Sequence, residues 1–229
     1  MIIFKEVSKV YYNHGSVLSL DNINLEISRG EFVSVVGQSG AGKSTLLKLI
    51  IVEERPTSGE IFFDKLMLSK VSDYYLPNLR RNIGVVFQDF RMMPNKTIYE
   101  NVAFTLEVLG RTNEEIDRDV LVSLDIMGIK DKSGFYPRQL SGGEQQRAAL
   151  ARAIVHHPAI LIADELTGNL DLLNTWEIIK LLTKINEMGT TIILATHNRE
   201  IVNSLNKRVV TLDKGRIAQD QATNGKYII

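Results

Sequence analysis

A run of residues between positions 37 and 44 has the types and spacing of a phosphate-binding loop. It reads Gly-Gln-Ser-Gly-Ala-Gly-Lys-Ser and fits the pattern G-x-x-x-x-G-K-[ST]. Glycines let successive backbone N–H groups turn toward an anion, and the lysine adds a positive charge. The Ser44 hydroxyl is placed to ligate Mg²⁺. The residues expected to hold a nucleotide's phosphates are Gly37, Gln38, Ser39, Gly40, Ala41, Gly42, Lys43, Ser44 and Thr45.

The elements around this loop are those that the motif requires. The apolar run at 31–36 predicts a buried strand, and the segment 44–50 predicts the helix that follows. A strand that ends where a helix begins places the loop at the helix N-terminus, where anions bind. The alternative is a glycine-rich turn that binds no ligand. Such a turn would not require the lysine and serine that complete the motif.

A second strand ends in two adjacent carboxylates. The apolar run 160–163 leads directly into Asp164 and Glu165. Adjacent residues at a strand end can have different roles, so we expect Asp164 to hold Mg²⁺ and Glu165 to polarise an attacking water near the γ-phosphate. Taken alone, such a pair is also typical of a solvated turn.

Two other polar residues follow predicted strands. His197 comes after the strand at 191–195 and could hydrogen-bond the γ-phosphate, although a single histidine there is also typical of packing or capping. Gln88 follows the strand at 83–87, and its neutral amide can ligate Mg²⁺ or orient water. We expect both residues to take part in catalysis.

A second glycine-containing segment precedes another helix. Ser141, Gly142 and Gly143 stand before the predicted helix 144–155, and a hydroxyl with flexible backbone at a helix N-terminus can hold an anion. Two anion-binding segments with one set of carboxylates suggest a two-fold dimer in which this segment of one copy faces the nucleotide of the other. A plain helix entry is the alternative.

Composition limits the possible classes of protein. The 229 residues are 44% hydrophobic, and 27 basic residues balance 27 acidic ones, so no overall field favours nucleic acid or anionic lipid. There is no cysteine, which excludes disulfides and thiolate metal sites. We see neither the layout of a signal peptide at the N-terminus nor an apolar run long enough to span a bilayer. A membrane role would require a partner.

The hydrophobic pattern predicts an α/β fold with two additions. Alternating residues at 2–27 and 59–63 indicate antiparallel strands, whereas three- and four-residue spacings at 97–109 and 114–127 indicate helices. Further strands alternate with a helix at 173–188. We expect one domain, 1–229, in which 1–88 and 158–229 form the core with a β-subdomain and 89–157 form a helical subdomain.

These motifs together resemble those of the ATP-binding-cassette (ABC) ATPases, in the same order along nearly the whole chain. The resemblance implies a P-loop NTPase fold, ATP and Mg²⁺ as ligands, and a head-to-tail dimer. By resemblance, Glu165 is the catalytic base, 140–147 is the signature motif and 168–171 is the D-loop. It also implies that Tyr11, or less readily Tyr12, stacks on adenine.

Within that family, the segments 80–90 and 208–217 resemble the cell-division branch. This branch implies an FtsX-like integral membrane partner whose extracellular part activates peptidoglycan hydrolases, and a peripheral ATPase on the cytoplasmic face of the plasma membrane at the division site. The neighbouring lipoprotein-release and macrolide-export ATPases share most of the motifs and stay open as an alternative. A soluble ABC ATPase would usually carry a coiled-coil insertion or a second cassette.

One residue departs from the family pattern at the catalytic strand. Leu166 stands where the family usually has a proline directly after the catalytic glutamate. Proline fixes φ and stiffens a turn, so we expect hydrolysis slower than with proline while nucleotide binding is retained.

The segment 90–94, directly after Gln88, contains two adjacent methionines, Met92 and Met93. Adaptable apolar side chains beside a γ-phosphate sensor suit a groove for a helix of the membrane partner. The same methionines could instead pack within the helical subdomain.

Overall fold

The computed structural model describes residues 1–12, 15–166 and 171–227, except for the side chain of Leu172. Its strands are β1 (Ile2–Tyr12), β2 (Ser16–Ile27), β3 (Phe32–Val36), β4 (Ser58–Phe63), β5 (Leu66–Met67), β6 (Ile83–Val86), β7 (Ile160–Asp164), β8 (Thr191–Thr196), β9 (Arg208–Asp213) and β10 (Arg216–Gln221). Its α-helices are α1 (Lys43–Ile50), α2 (Leu76–Arg80), α3 (Ile98–Val108), α4 (Asn113–Ile126), α5 (Gly142–Ile154), α6 (Leu172–Glu187) and α7 (Arg199–Leu205).

The chain divides into two compact units. The first unit contains Met1–Arg80 and Thr191–Ile229, and the second contains Arg81–Thr190. The predicted helical segment 89–157 lies within the second unit, which also includes β6 and β7.

An antiparallel sheet in the first unit has the strand order β2-β1-β4-β5. Its pairing starts at Ile2 opposite Ile27 and runs to Tyr12 opposite Ser16. Ile2 and Phe4 are buried while Ile3 between them is only half-buried, which is the alternation that the sequence pattern predicted. The predicted antiparallel strands at 2–27 and 59–63 are confirmed.

The first unit also contains a parallel group of strands around β3. This strand lies between β8 and β9 and runs parallel to both, while β10 returns antiparallel to β9. All residues of β3 and β8 are buried. Parallel strands that are covered on both faces have continuous apolar runs. This burial explains why the segments 31–36 and 191–195 are mostly apolar.

The C-terminal segment packs on this group, although its sequence gave no structural signal. The Tyr227 ring is buried in a cluster with Val36, Val202 and Val209. Its backbone N–H donates to Oδ1 of Asn203, 2.7 Å away, which ties the segment to α7. The strand β10 also extends to Gln221, beyond the predicted Arg216–Ile217.

The second unit combines the parallel pair β6 and β7 with the helices α3 to α6. Capping boxes start α3 at Thr97 and α4 at Thr112, each with a glutamate three residues later. The predicted helices at 97–109, 114–127, 144–155 and 173–188 are confirmed. In the described part of the chain, no helix is both long and apolar enough to cross a bilayer.

Candidate nucleotide-binding and hydrolysis site

The phosphate loop runs from the end of β3 to the start of α1, as predicted. Lys43 is the first residue of α1, and its side chain is 7% exposed. Its ammonium group donates to the carbonyl oxygens of Gly37 at 2.8 Å and Gln38 at 3.2 Å. The loop therefore wraps around its own lysine, which places a positive charge inside the ring of backbone that would hold an anion.

The rim of this loop is open. Gln38, Ser39 and Gly40 are exposed, and a Cβ atom at Gly40, whose φ is 80°, would meet nothing within 4 Å. Gly42 caps α1 without a side-chain hydrogen bond, and no acidic residue lies in the first turn. Neither a capping side chain at Gly42 nor an acidic side chain in the first turn therefore competes with an incoming phosphate at the start of α1.

Strand β2 fixes the base of the loop. The Ser19 hydroxyl lies 2.8 Å from the Thr45 hydroxyl. A Cβ atom at Gly42 would come within 2.7 Å of the Ser19 carbonyl, so only glycine allows β2 to pack this closely. The start of α1 is therefore held against β2.

The β1–β2 hairpin carries the two tyrosines that could stack on adenine. Tyr11 is paired with Val17 and half-buried, and the Lys9 ammonium lies 4.8 Å from its ring centre. Tyr12 is 73% exposed. Adjacent residues of a strand point to opposite faces, so only one of the two rings can lie on the side of a nucleotide.

His197 leaves the parallel sheet beside the phosphate loop. Val36, the last residue of β3, is in register with Thr196, the last residue of β8. Gly37 and His197 therefore follow directly from two paired residues on neighbouring parallel strands. The structure brings together these two predicted elements of the first unit.

The second unit brings together another pair of predicted residues. Val86, at the end of β6, is in register with Ala163 of β7. Gln88 and Glu165 each lie two residues beyond this pair, and Asp164 is the last residue of β7. Glu165 has a φ of 51°, in the left-handed region that a non-glycine residue rarely adopts.

The signature segment begins α5 with a capping box. The Ser141 hydroxyl accepts from the backbone N–H of Glu144 and lies 2.8 Å from the Glu144 carboxylate, to which the Ser141 backbone N–H also donates at 2.8 Å. Hydrogen bonds from the Ser141 backbone and hydroxyl lower the pKa of Glu144. An anion arriving at this N-terminus must therefore compete with a carboxylate for the Ser141 hydroxyl.

A neighbouring side chain in the same unit leaves room only for glycine at position 143. A Cβ atom at this position would lie 2.5 Å from Oδ1 of Asn174 on α6. Asn174 is itself held by Asp171, the N-cap of α6, through two hydrogen bonds of 2.9 and 2.6 Å. Asp171 is the last residue of the predicted D-loop, and Gly168, Asn169 and Leu170 lie outside the described residues.

The model of the family described as "ABC transporter" matches residues 20–168. The chain belongs to the ABC transporter family. The ABC fold class that the motifs predicted is confirmed, and the chain is an ATP-hydrolysing cassette of this family.

Individual relatives agree with the family match. The cell division ATP-binding protein FtsE of Bacillus subtilis (strain 168) is 50% identical over 227 residues, which cover 99% of this chain and 98% of the relative. The methionine import ATP-binding protein MetN of Carboxydothermus hydrogenoformans is 42% identical over 100% of this chain but 68% of the relative. A solved dimeric structure of an ATP-binding cassette in a post-hydrolysis state, bound to ADP and Pi, has a TM-score of 0.89 and 35% identity, with coverage of 99% of this chain and 100% of that one.

Each of the two units contains some of the predicted site residues. Tyr11, the phosphate loop and His197 belong to the first unit. Gln88, the two carboxylates and the signature segment belong to the second. Among the described residues, no cluster of three or more His, Cys, Asp or Glu could hold a metal ion. A magnesium site here would accordingly use hydroxyl or amide oxygens as well as carboxylates.

The motifs missed three residues that contact a predicted site residue or the backbone next to one. Gln146 donates to the carbonyl of Leu166, Arg152 donates to two carbonyls after Gln88, and Asn174 packs on Gly143. Gln146 had a recognisable signal because it is a polar residue on the apolar stripe of α5, four residues before Leu150. No such signal marked Arg152 or Asn174, because polar residues are common on the partly exposed helix faces where both lie.

Proposed function

We propose that the chain is the ATP-binding and hydrolysing subunit of an FtsE-type membrane complex, which acts with an FtsX-like protein in bacterial cell division. The observation that carries the proposal is the 50% identity to FtsE over 98% of that relative's length. The match to the MetN relative leaves about a third of that protein uncovered. The complex would control peptidoglycan hydrolysis outside the cell by transmitting motion rather than by moving a solute.

ATP would bind along the phosphate loop. Tyr11 stacks on adenine, the backbone at 37–45 holds the phosphates, and Lys43 neutralises their charge. The glycine at the N-cap of α1, which has no capping side chain, and the exposed Gly40 support this role. Ser44, Gln88 and Asp164 offer only oxygen donors, the type that Mg²⁺ prefers, and the ion would neutralise charge on the β- and γ-phosphates.

Hydrolysis would depend on residues at three strand ends. Glu165 accepts a hydrogen bond from the attacking water and polarises it, Gln88 orients that water, and His197 donates to the γ-phosphate. Phosphoryl transfer needs little covalent help from a protein, so these groups act by positioning and by stabilising charge.

Two copies would form a head-to-tail dimer when ATP is bound. Ser141, Gly142 and Gly143 of one copy face the nucleotide of the other, which gives two equivalent composite sites. The solved relative in its post-hydrolysis state is itself dimeric. Binding would close the dimer, and hydrolysis would reopen it.

The membrane partner would dock on the segment 90–94. Met92 and Met93 are half-buried, and the backbone of Met93 is anchored to the buried Asn101 of α3 by hydrogen bonds of 2.7 and 3.1 Å. On the same helix, Phe104 is 43% exposed. A fixed backbone with accessible apolar side chains suits a helix-in-groove contact. The chain would then lie on the cytoplasmic face of the plasma membrane, at the division site.

Affinity capture from the membranes of the native cell tests this proposal. We expect the tagged chain to recover an integral membrane protein of the FtsX type, identified by mass spectrometry. Recovery of a lipoprotein- or drug-export permease would instead support the exporter alternative, and recovery of no membrane protein would support a soluble ABC ATPase.

Two charge substitutions test the docking segment. Met92→Glu should abolish capture while the variant remains folded and able to bind ATP. Met188→Glu is the matched control, because Met188 is 60% exposed in the same unit but follows α6. Full capture by Met92→Glu would exclude the segment 90–94 as the contact.

A further inference from the structure

The backbone after β6 folds tightly around Gln88. The N–H of Phe90 donates to the carbonyl of Phe87 at 3.1 Å, and the N–H of Arg91 donates to the carbonyl of Asp89 at 2.6 Å. Phe90 and Arg91 have φ values of 56° and 46°. Two consecutive non-glycine residues in the left-handed region do not hold this conformation by themselves, so surrounding groups must impose it.

Arg152 supplies that constraint from α5. One guanidinium nitrogen donates to the carbonyl of Arg91 at 2.7 Å, and the other donates to the carbonyl of Phe90 at 2.6 Å. The planar fork of an arginine matches two adjacent acceptors, and charge-assisted hydrogen bonds are among the strong ones. The two carbonyls that it holds belong to the two residues in the left-handed region.

The environment of Arg152 is costly for a cation. The side chain is half-buried, and burial lowers the pKa of its guanidinium. The acceptors are neutral carbonyls, which offset desolvation less than a carboxylate would. An exposed arginine would not have this desolvation cost. The hydrogen bonds to the two carbonyls therefore explain why Arg152 is half-buried.

Arg91 adds a second clamp on the same turn. Its guanidinium carbon lies 3.7 Å from the centre of the Phe87 ring, and its Nε lies 3.4 Å from the Asp89 carboxylate. Phe87 and Arg91 are therefore held on either side of Gln88. Arg152 holds the end of this turn at Phe90 and Arg91. Because Arg152 belongs to α5, the position of the Gln88 backbone depends on that helix.

We propose that Arg152 is a positioning residue for Gln88. It acts through the carbonyls of Phe90 and Arg91, and it joins the turn to the same helix that begins at the signature segment. A movement of α5 would consequently be passed to Gln88. This inference rests on the proposed role of Gln88 in hydrolysis.

A double-mutant cycle tests the inference on the full chain. Arg152→Met should lower kcat by about tenfold with a smaller change in KM. Arg152→Lys keeps the positive charge and one donor nitrogen in place of two, so its kcat should fall less. If Arg152 acts through Gln88, Arg152→Met should have little further effect in a Gln88→Ala background. The same factor in both backgrounds would overturn the proposal. Arg118→Met is the control, because Arg118 lies on the exposed side of α4 and pairs with its neighbour Asp119.

Limited proteolysis gives a readout that does not depend on catalysis. Arg91 is exposed, so trypsin should cut after it faster in Arg152→Met than in the parent chain or in Arg118→Met. Unchanged cleavage would overturn the positioning role. Wild-type kcat in Gln88→Ala together with faster cleavage would instead refute the proposed role of Gln88 and leave the clamp intact. If Arg152→Met does not fold, Arg152→Lys serves for both measurements.

Discussion

The side-chain amide of Gln146 donates a hydrogen bond to the backbone carbonyl of Leu166, the residue directly after Glu165. Gln146 is fully buried on α5, and the Leu166 side chain is 3% exposed. The turn that the family usually stiffens with proline is thus anchored here by a glutamine and by burial of a leucine. Whether hydrolysis is slower than with proline stays a prediction.

Removal of this hydrogen bond should affect turnover more than binding. Gln146→Met keeps the volume but leaves the Leu166 carbonyl without that donor, so we expect kcat to fall by about tenfold and KM for ATP to change little. The free energy of unfolding should fall by about 1–3 kcal/mol. Steady-state kinetics and denaturant unfolding measure both. Gln219→Met, at an exposed position of β10, is the control. An unchanged kcat would contradict a link between α5 and Glu165.

Lys43→Ala should abolish ATP binding. The substitution removes the positive charge that the carbonyls of Gly37 and Gln38 hold inside the loop. Titration with a fluorescent ATP analogue measures the loss. Lys48→Ala, which removes a charge from the last turn of the same helix, should bind normally. Retained binding in Lys43→Ala would contradict the role of the Lys43 charge in holding the phosphates.

Glu165→Gln should bind ATP but hydrolyse it at least about a hundredfold more slowly, because an amide is a far weaker base than a carboxylate. ATP should then trap a closed dimer, which size-exclusion chromatography with light scattering detects. Glu187→Gln, at the end of α6, provides the comparison. A fully active Glu165→Gln variant would refute its role as the base.

Glu144→Gln should favour the ATP-bound dimer by about two- to tenfold in affinity. Glutamine retains the capping box but removes the negative charge that shares the Ser141 hydroxyl. Dimerisation at several ATP concentrations measures the shift. Glu115→Gln makes the same change in the capping box of α4, away from the signature segment, and should not shift the dimer. A weaker dimer in Glu144→Gln would exclude competition between this carboxylate and phosphate.

Burial lowers the pKa of His156 from 6.5 to about 4. Between pH 6.5 and pH 4, the His156 imidazole is protonated in the unfolded chain but not in the folded chain. The free energy of unfolding therefore decreases as the pH falls from 6.5 toward 4. The loss from this group is on the order of 3 kcal/mol. Denaturant unfolding at pH 7 and pH 4.5 should show a smaller loss of stability in His156→Gln. His157→Gln, at an exposed position, should lose nearly as much stability as the parent, because the charge of His157 contributes less than burial to the lowered pKa of His156. Equal losses in both variants and the parent would contradict the assignment.

Local patterns were enough to place most elements of the fold. The period-2 pattern of β1, the apolar run of β3 and the helical spacing of α6 each lie within a short stretch, so the sequence predicted them within a residue or two. The sequence did not predict the helix α2, because it is only five residues long. It did not predict the packing of Tyr227 either, because that packing depends on residues far away along the chain.

By itself, the sequence determined the chemistry of this ABC cassette, because the phosphate loop, the carboxylate pair and the signature segment are contiguous motifs. Only the tertiary structure decided which strand ends lie side by side. The register of Val36 with Thr196 and of Val86 with Ala163 is a non-local pairing that no single segment encodes. The partners of Gln146 and Arg152 are backbone carbonyls, which every residue possesses, so their choice carries no signature in the sequence.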